Sequence, residues 1–209
     1  MEPREQPQIG HLIKGHQISP TPYCEKILNS RECSTIAEII LQYENSVKAS
    51  GPDLYPGTAD DSLTGRFWCY NWLSKHPTIN KILLPKLKTS IKNAWSPYTP
   101  FFPMRIQLWA NTFRKNEGIG AHRHHPLVIS ANIFICGDPK IGTVYVIDGK
   151  EHHDTNQEGE IVIFSGTIPH YVNPNPTDDI RITIAMDIQL AIPPNAEFEE
   201  EKANYYMIE

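Results

Sequence analysis

The chain has 209 residues and a net charge of −5 at neutral pH, with 40% hydrophobic and 21% charged residues. This composition is typical of one globular domain and excludes a wholly disordered chain. The acidic balance argues against a nucleic-acid partner. The longest mostly apolar stretch, Leu127 to Cys136, is much shorter than the roughly 20 residues that cross a bilayer, so we expect no membrane partner. The oligomeric state stays open.

The cysteines and the first residues bear on the cellular compartment. The four cysteines lie far apart, at positions 24, 33, 69 and 136, without a C-x-x-C pair. This spacing favours free thiols in a reducing compartment over a zinc site or a redox motif. The opening segment, Met1 to Gln6, lacks the apolar core of a secretory signal. We therefore expect a cytoplasmic protein.

The N-terminal part predicts an arm followed by a helix. Residues 1–22 are polar and rich in proline, which is typical of a flexible arm. Thr35 and Glu38 have the spacing of a capping box, an apolar stripe follows them, and Gly51-Pro52 is a stop signal. The pattern predicts one amphipathic helix between these signals.

A second helix is predicted after an aromatic run. The run spans Phe67 to Trp72, and its side chains either pack in the core or line a substrate groove. Apolar residues then recur at helical spacing from Ile79 to Trp95, with Pro85 expected to kink the helix or to begin a new one. Residues 23–100 are therefore predicted to form a helical support region of the same domain.

From residue 101 the hydrophobic period changes to two, which indicates strands. The predicted strands span Arg105–Phe113, Leu127–Cys136, Thr143–Ile147, Ile161–Phe164 and Ile180–Leu190. Helices followed by a run of short strands favour an antiparallel double sheet or barrel that is braced by helices. The fold class is therefore mainly β with N-terminal helices. The core is predicted over 101–192, and an acidic C-terminal tail over 193–209.

The last strand separates its side chains most cleanly. Isoleucines, a methionine and a leucine share one face, and Arg181, Thr183, Ala185, Asp187 and Gln189 share the other. Buried polar side chains need partners, so the polar faces of such strands are expected to surround a cavity. A barrel with a partly polar interior is suited to binding a polar small molecule.

Three histidines form a candidate metal site. His122 and His124 are two residues apart, so an extended backbone points both to one side. His170 precedes the last strand and is the third candidate ligand, which leaves coordination positions open for other ligands. A competing set, His152-His153-Asp154, lies in a polar stretch that we interpret as a solvated hairpin loop.

Arg181 is the candidate anion anchor. It lies eleven residues beyond His170, on the polar face of the last strand, with Thr183 beside it. A guanidinium pairs with a carboxylate through two parallel hydrogen bonds, and a neighbouring hydroxyl adds a donor. A short dicarboxylate held between a metal and Arg181 would fit this arrangement. The alternative is an ordinary salt bridge with one of the nearby aspartates, Asp178, Asp179 or Asp187.

These residues resemble the iron(II)- and 2-oxoglutarate-dependent oxygenases, and most of all a small bacterial and bacteriophage branch with a prolyl-hydroxylase-like layout. The resemblance covers about residues 105–190. The matching pieces, in chain order, are Trp109–Asn111, His122–Pro126, Ser130, Glu158–Phe164, Pro169–Val172 and Arg181–Ala185.

The resemblance implies a fold, a reaction and roles for individual residues. The fold would be a double-stranded β-helix, or jelly roll. His122, His124 and His170 would bind Fe(II), and Arg181 and Thr183 would hold the distal carboxylate of 2-oxoglutarate, with possible contacts from two asparagines, Asn111 and Asn132. The activity would be a dioxygenase reaction that uses O₂, hydroxylates an unidentified small molecule or protein side chain, and releases succinate and CO₂.

One departure from the family leaves alternatives open. The second metal ligand of the wider family is an Asp or Glu, where this chain has His124, and His125 could take its place. A cupin-type dioxygenase with a three-histidine iron site would use the same barrel without 2-oxoglutarate, but Arg181 would then have no role. A non-catalytic jelly-roll binding module, with structural histidines, is the third hypothesis.

Overall fold

The structure is a computed structural model that describes residues 22–50, 72–95, 104–124, 129–190 and 206–208. Residues 1–21 of the predicted arm, all of the aromatic run except Trp72, and most of the predicted acidic tail lie outside these residues. Within the described ranges, none of the helices combines the length and the apolar character that a membrane crossing requires.

The helices are α1 (Ser30–Ser50), α2 (Trp72–Lys75) and α3 (Pro77–Trp95). Helix α1 begins earlier than predicted because its capping box is formed by Asn29 and Glu32. Asn29 Oδ1 accepts a hydrogen bond from the Glu32 N–H at 3.0 Å, and Glu32 Oε2 accepts one from the Asn29 N–H at 2.9 Å. The predicted cap at Thr35 is wrong, because that residue lies inside the helix and its hydroxyl donates to the Arg31 carbonyl.

Helix α3 runs through Pro85 as one element. Proline has no N–H, so the carbonyl of residue 81, four positions earlier, loses its helical partner. Both Pro85 and Lys81 are exposed, so water can hydrate that carbonyl at the helix surface. The alternative that a new helix begins at Pro85 is therefore wrong.

Two antiparallel sheets form the body of the protein. The larger has the order β1-β7-β4-β9-β2-β10, and the smaller has the order β3-β8-β5-β6. The strand bounds are β1 Tyr23–Lys26, β2 Met104–Phe113, β3 Ile119–His122, β4 Ile129–Cys136, β5 Thr143–Ile147, β6 Lys150–His153, β7 Glu160–Ser165, β8 His170–Val172, β9 Arg181–Leu190 and β10 Tyr206–Ile208. This architecture confirms the predicted jelly roll with N-terminal helices.

Five short strands were not among those predicted from the sequence: β1, β3, β6, β8 and β10. Strand β1 pairs with β7 inside the region predicted to be helical, and β10 pairs with β2 inside the predicted tail. Strand β6 contains His152 and His153, which were assigned to a hairpin loop, although its side chains are exposed as expected. A strand of three or four residues is too short to show a clear alternation of apolar and polar residues. Such strands form because a neighbouring strand pairs with them, and the sequence pattern does not reveal that pairing.

The main core lies between the helices and one face of the larger sheet. Each of the three long central strands sends alternate apolar side chains towards the helices. The buried residues include Ile36, Ile40, Leu83, Leu87 and Ile91 from the helices, and Ile106, Leu108, Ile133, Ile184 and Ile188 from the sheet. Burying each such side chain contributes about 1.5–3 kcal/mol to stability. A shift of one residue in register would turn the apolar side chains of a strand away from the helices, and most of this stabilisation would be lost.

Candidate metal centre and ligand cavity

The opposite face of the larger sheet and the smaller sheet enclose a cavity of about 230 Å³. Strand β9 contributes alternate residues from Arg181 to Asp187 along the cavity wall, as the polar face of this strand predicted. The polar residues that line the cavity are Asn111, His122, Arg123, His124, Ser130, Asn132, Thr143, His170, Arg181, Thr183 and Asp187. The polar faces of the strands therefore surround one hollow.

Pairing between strands brings the three predicted histidines together. His122 and His170 are direct partners across β3 and β8, and their ring centroids lie 4.3 Å apart. His124 follows β3, where its N–H donates to the Gly166 carbonyl, and its ring centroid lies 5.4 Å from that of His122 and 5.1 Å from that of His170. One nitrogen from each ring lies within 4.8 Å of the other two, which suits a shared metal ion.

Each of these rings has its Nδ1 beside an oxygen. His122 Nδ1 lies 2.9 Å from the Gly120 carbonyl, and His170 Nδ1 lies 3.0 Å from the Ile168 carbonyl. His124 Nδ1 lies 2.7 Å from Asp187 Oδ1. A carbonyl or carboxylate oxygen only accepts, so Nδ1 must carry the proton and donate it. In a neutral ring Nε2 is then the unprotonated nitrogen, which is the atom that can bind a metal.

Burial keeps two of these rings neutral. Burial lowers the pKa of His170 to about 3, with a further contribution from the neighbouring His122. Burial also lowers the pKa of His122. Imidazole binds a metal only in its unprotonated form, so these two rings are ready to act as ligands at neutral pH.

Arg181 is almost completely buried in the same cavity. Its Nε donates to the Ile141 carbonyl at 2.8 Å, and its Nη2 donates to the Thr143 hydroxyl at 3.4 Å. The guanidinium carbon lies 5.4 Å from the ring centroid of Phe113 and 5.8 Å from that of Phe134. Burial lowers the pKa of Arg181 to about 10, so it is still protonated at neutral pH.

The alternative salt bridge for Arg181 is not found in the part of the chain that the structure describes. Asp178 pairs with Lys115, and Asp187 accepts hydrogen bonds from Ser130 and His124. None of the described carboxylates lies within 4.0 Å of Arg181. The carboxylate of Asp154 acts on the guanidinium only from beyond salt-bridge distance, so the cavity is suited to an anionic ligand in direct contact with Arg181.

Two local features fix the start of β9, and so fix Arg181. Gly137 has a φ of 128°, and a Cβ atom there would lie 2.8 Å from the Arg181 Cα, so a larger residue would clash. Asn175 is fully buried, and its Nδ2 donates to the carbonyls of Phe113 and Asp179. The turn before β9 is therefore tied to β2.

Three other predicted site residues also line the cavity. Asn111 Nδ2 donates to the Thr183 hydroxyl at 3.3 Å, and Asn132 Nδ2 donates to the Thr143 hydroxyl at the same distance. Asn111 Oδ1 is buried and has no hydrogen-bond partner among the described residues. An unpaired buried amide oxygen costs about 1–3 kcal/mol, so this atom marks a place for a polar group of a ligand.

The sequence did not single out every residue of the site. Thr143 links Arg181 to Asn132, and the indole of Trp109 stacks on the His124 ring at a centroid distance of 6.1 Å. Asp187 was considered only as a partner of Arg181, whereas it contacts His124. The cluster contains His124, and His125 lies outside the described residues.

Comparisons with known proteins identify the fold. HygX from Streptomyces hygroscopicus, solved with nickel and 2-oxoglutarate bound, superposes with a TM-score of 0.60 at 9% identity over 82% of this chain and 83% of its own. A Pseudomonas putida prolyl-4-hydroxylase gives 0.53 at 15% identity over 82% and 93%. The α-ketoglutarate-dependent epimerase SnoN from nogalamycin biosynthesis gives 0.58 at 11% identity over 81% and 76%. The chain shares the fold of the iron- and 2-oxoglutarate-dependent oxygenases.

The likeness is one of structure rather than of sequence. No protein-family model and no curated protein matches the sequence. The structural neighbours confirm the fold that the resemblance implied. They include a hydroxylase and an epimerase, so the fold alone does not define the reaction.

Proposed function

We propose that this protein is a non-haem Fe(II)- and 2-oxoglutarate-dependent dioxygenase that hydroxylates its substrate and releases succinate and CO₂. One observation carries the proposal. Three imidazoles, each with an oxygen partner for Nδ1, converge in the same cavity as a buried guanidinium that forms no salt bridge within 4.0 Å with a described carboxylate. A metal and a carboxylate anchor in one hollow suit a chelating dicarboxylate.

In this proposal His122, His124 and His170 hold the iron. Their Nδ1 hydrogen bonds fix the orientation of the rings before any metal arrives, so the site needs little rearrangement on binding. The donor set fits a divalent transition metal, because imidazole suits iron and three protein ligands leave coordination positions for other molecules.

Arg181 and Thr183 hold the distal carboxylate of 2-oxoglutarate. Arg181 Nε donates to the Ile141 carbonyl and Nη2 donates to the Thr143 hydroxyl, which fixes the plane of the guanidinium and leaves its other N–H groups for the ligand. The Thr183 hydroxyl accepts from Asn111, so its own proton is available to a carboxylate. Asn111 and Asn132 line the same cavity and complete the polar wall.

The cofactors supply the oxidising chemistry: oxidative decarboxylation of 2-oxoglutarate with O₂ places one oxygen atom in succinate and the other in a C–H bond of the substrate. The protein positions the reactants and limits access of water. Phe113 and Phe134 cover the guanidinium of Arg181, and Trp109 covers the ring of His124.

An anaerobic titration tests this proposal. Metal-free protein is titrated with Fe(II) under nitrogen, and 2-oxoglutarate is then added while the visible spectrum is recorded. The proposal predicts a metal-to-ligand charge-transfer band that appears only after the second addition. Iron binding without the band would support the cupin-type alternative, and no iron binding would support a non-catalytic binding module. The control variant is His153→Ala, which removes a histidine from the exposed strand β6 and should behave like the unaltered protein in this titration.

The substrate and the cellular compartment belong to the same proposal. We propose a small molecule or a protein side chain as substrate, and a cytoplasmic location. Free thiols at Cys24, Cys33 and Cys136 agree with a reducing compartment. Measuring succinate release against pools of peptides and metabolites would identify the substrate class, and analysis of the product by mass would distinguish hydroxylation from epimerisation.

A further inference from the structure

The metal-binding cluster has one carboxylate directly behind it. Asp187 Oδ1 lies 2.7 Å from His124 Nδ1, and the same oxygen accepts a hydrogen bond from the Ser130 hydroxyl at 2.9 Å. The side chains of Asp187 and His124 are 18% and 14% exposed, so the pair is largely shielded from water. The contact is short enough for a charge-assisted hydrogen bond.

The backbone holds the carboxylate more firmly than it holds the imidazole. Asp187 lies in the interior of β9, paired with Gln107 of β2 on one side and with Ser130 of β4 on the other. His124 lies beyond the end of β3, where a backbone hydrogen bond to the Gly166 carbonyl holds it in place. Asp187 is thus the fixed partner that can set the orientation of the His124 ring.

The three histidines differ in this respect. His122 and His170 are oriented by backbone carbonyls of Gly120 and Ile168, which are neutral acceptors. The His124 ring is oriented by the carboxylate of Asp187. A carboxylate behind a metal-bound imidazole fixes its tautomer and makes its free nitrogen a stronger donor.

We infer that Asp187 is a positioning residue for a divalent metal ion, acting through His124. It orients the ring, and it places a negative charge next to a site whose three direct ligands are all neutral. The inference rests on the proposed function, because it requires that the histidine cluster binds a metal. It assigns to Asp187 part of the charge that a carboxylate ligand would otherwise provide.

Binding of Co(II) to the full chain tests the inference, with calorimetry for the affinity and the visible d–d bands for the coordination. Asp187→Ala removes both the acceptor and the charge, and it should weaken Co(II) binding about 10- to 100-fold, as is usual for such partners. Asp187→Asn keeps an acceptor oxygen without the charge and should lose less, about 10-fold, with altered d–d bands. Asp187→Glu should recover part of the affinity, because it restores a carboxylate.

The control is Asp178→Asn, the same substitution in the exposed pair with Lys115, and it should bind Co(II) like the unaltered protein. Thermal unfolding without metal shows whether each variant folds, and the isosteric Asp187→Asn provides the test if Asp187→Ala does not. Unchanged Co(II) binding by a folded Asp187→Ala, or by Asp187→Asn in that event, would overturn the inference and leave the proposed function intact.

His124→Ala separates the remaining outcomes. It should weaken Co(II) binding at least as much as Asp187→Ala. If it binds Co(II) normally while Asp187→Ala does not, Asp187 is itself the ligand and the positioning role is wrong. If the unaltered protein binds no Co(II), the proposed metal site fails, and the inference fails with it.

Discussion

The two ends of the cavity are organised differently. At the histidine end, every ring already has an oxygen partner for Nδ1, and one nitrogen of each ring lies within 4.8 Å of the other two. At the arginine end, the guanidinium is fixed by a carbonyl and a hydroxyl, but no described carboxylate forms a salt bridge with it, and Asp154 acts on it only from beyond that distance. The polar face of β9 lines both ends. Arg181 lies at one end, and Asp187, six residues further along the strand, contacts His124 at the other.

This difference indicates which end of the cavity is organised before any ligand binds. The histidine end is pre-organised for a cation, and a metal alone should bind there. The arginine end has a buried charge without a salt bridge among the described residues, so an anionic ligand in contact with it should lower the free energy of that end. Metal affinity and 2-oxoglutarate affinity should therefore respond to different substitutions.

Removing a metal ligand should have the largest effect. His170→Ala deletes the most buried of the three imidazoles and should weaken Fe(II) or Co(II) binding on the order of 1000-fold, about 4 kcal/mol. Binding of 2-oxoglutarate should weaken with it, because the chelated metal is half of the ligand site. Calorimetry with Co(II) measures the first loss. Normal metal binding by a folded variant would refute the assignment of His170.

Removing the anion anchor should affect only the other end. Arg181→Ala should weaken 2-oxoglutarate binding about 100-fold and abolish turnover, because hydrogen bonds to a charged group are worth about 1.5–3 kcal/mol. Metal affinity should change by less than about threefold. Arg181→Lys keeps the charge but not the planar fork, so it should restore only part of the affinity. Normal turnover of 2-oxoglutarate by Arg181→Ala would show that the anchor is assigned wrongly.

A smaller effect is expected at Thr183. Thr183→Val keeps the shape and removes one hydroxyl, so the KM for 2-oxoglutarate should rise about tenfold, or 1.4 kcal/mol. Thr183→Ser retains the hydroxyl and is the matched control. Steady-state kinetics of 2-oxoglutarate decarboxylation measure both variants. Equal KM values for the two variants would remove Thr183 from the anchor.

The smallest effect on the cavity is expected from the opposite face of the larger sheet. Glu44 of α1 is buried, and its carboxylate accepts from the Thr112 hydroxyl at 3.1 Å and from Arg114 at 2.7 and 2.8 Å. Glu44→Gln should lower the free energy of unfolding by about 2 kcal/mol. This loss is smaller than that expected for a fully buried ion pair, because Arg114 is partly exposed. Urea unfolding measures this loss. Changed affinity for metal or 2-oxoglutarate would show that the two faces are coupled.

Most of the core was predictable because long strands carry their own signal. The alternation from Ile180 to Leu190 identified β9. It also placed Arg181 and Thr183 on the face opposite to the isoleucines that pack on the helices. The metal cluster followed from H-x-H and a distant histidine, since extended backbone places His122 and His124 on one side. In these cases local periodicity and the global fold agree.

The remainder depends on which strands are neighbours. Asp187 is separated from His124 by more than sixty residues, and their contact depends on the register of β9 with β4 and on the packing of the two sheets. The strands β1 and β10 are too short to show a pattern, and the cap at Asn29 competed with an equally good motif at Thr35. Sequence spacing does not encode these contacts, because they form between distant segments.

A crystal structure grown without oxygen, with Fe(II) and 2-oxoglutarate present, tests the central claim most directly. We predict that the metal contacts His122, His124 and His170, and that one 2-oxoglutarate molecule bridges it to the guanidinium of Arg181. Iron bound to the histidines with 2-oxoglutarate absent from the cavity, or bound away from Arg181, would contradict the account.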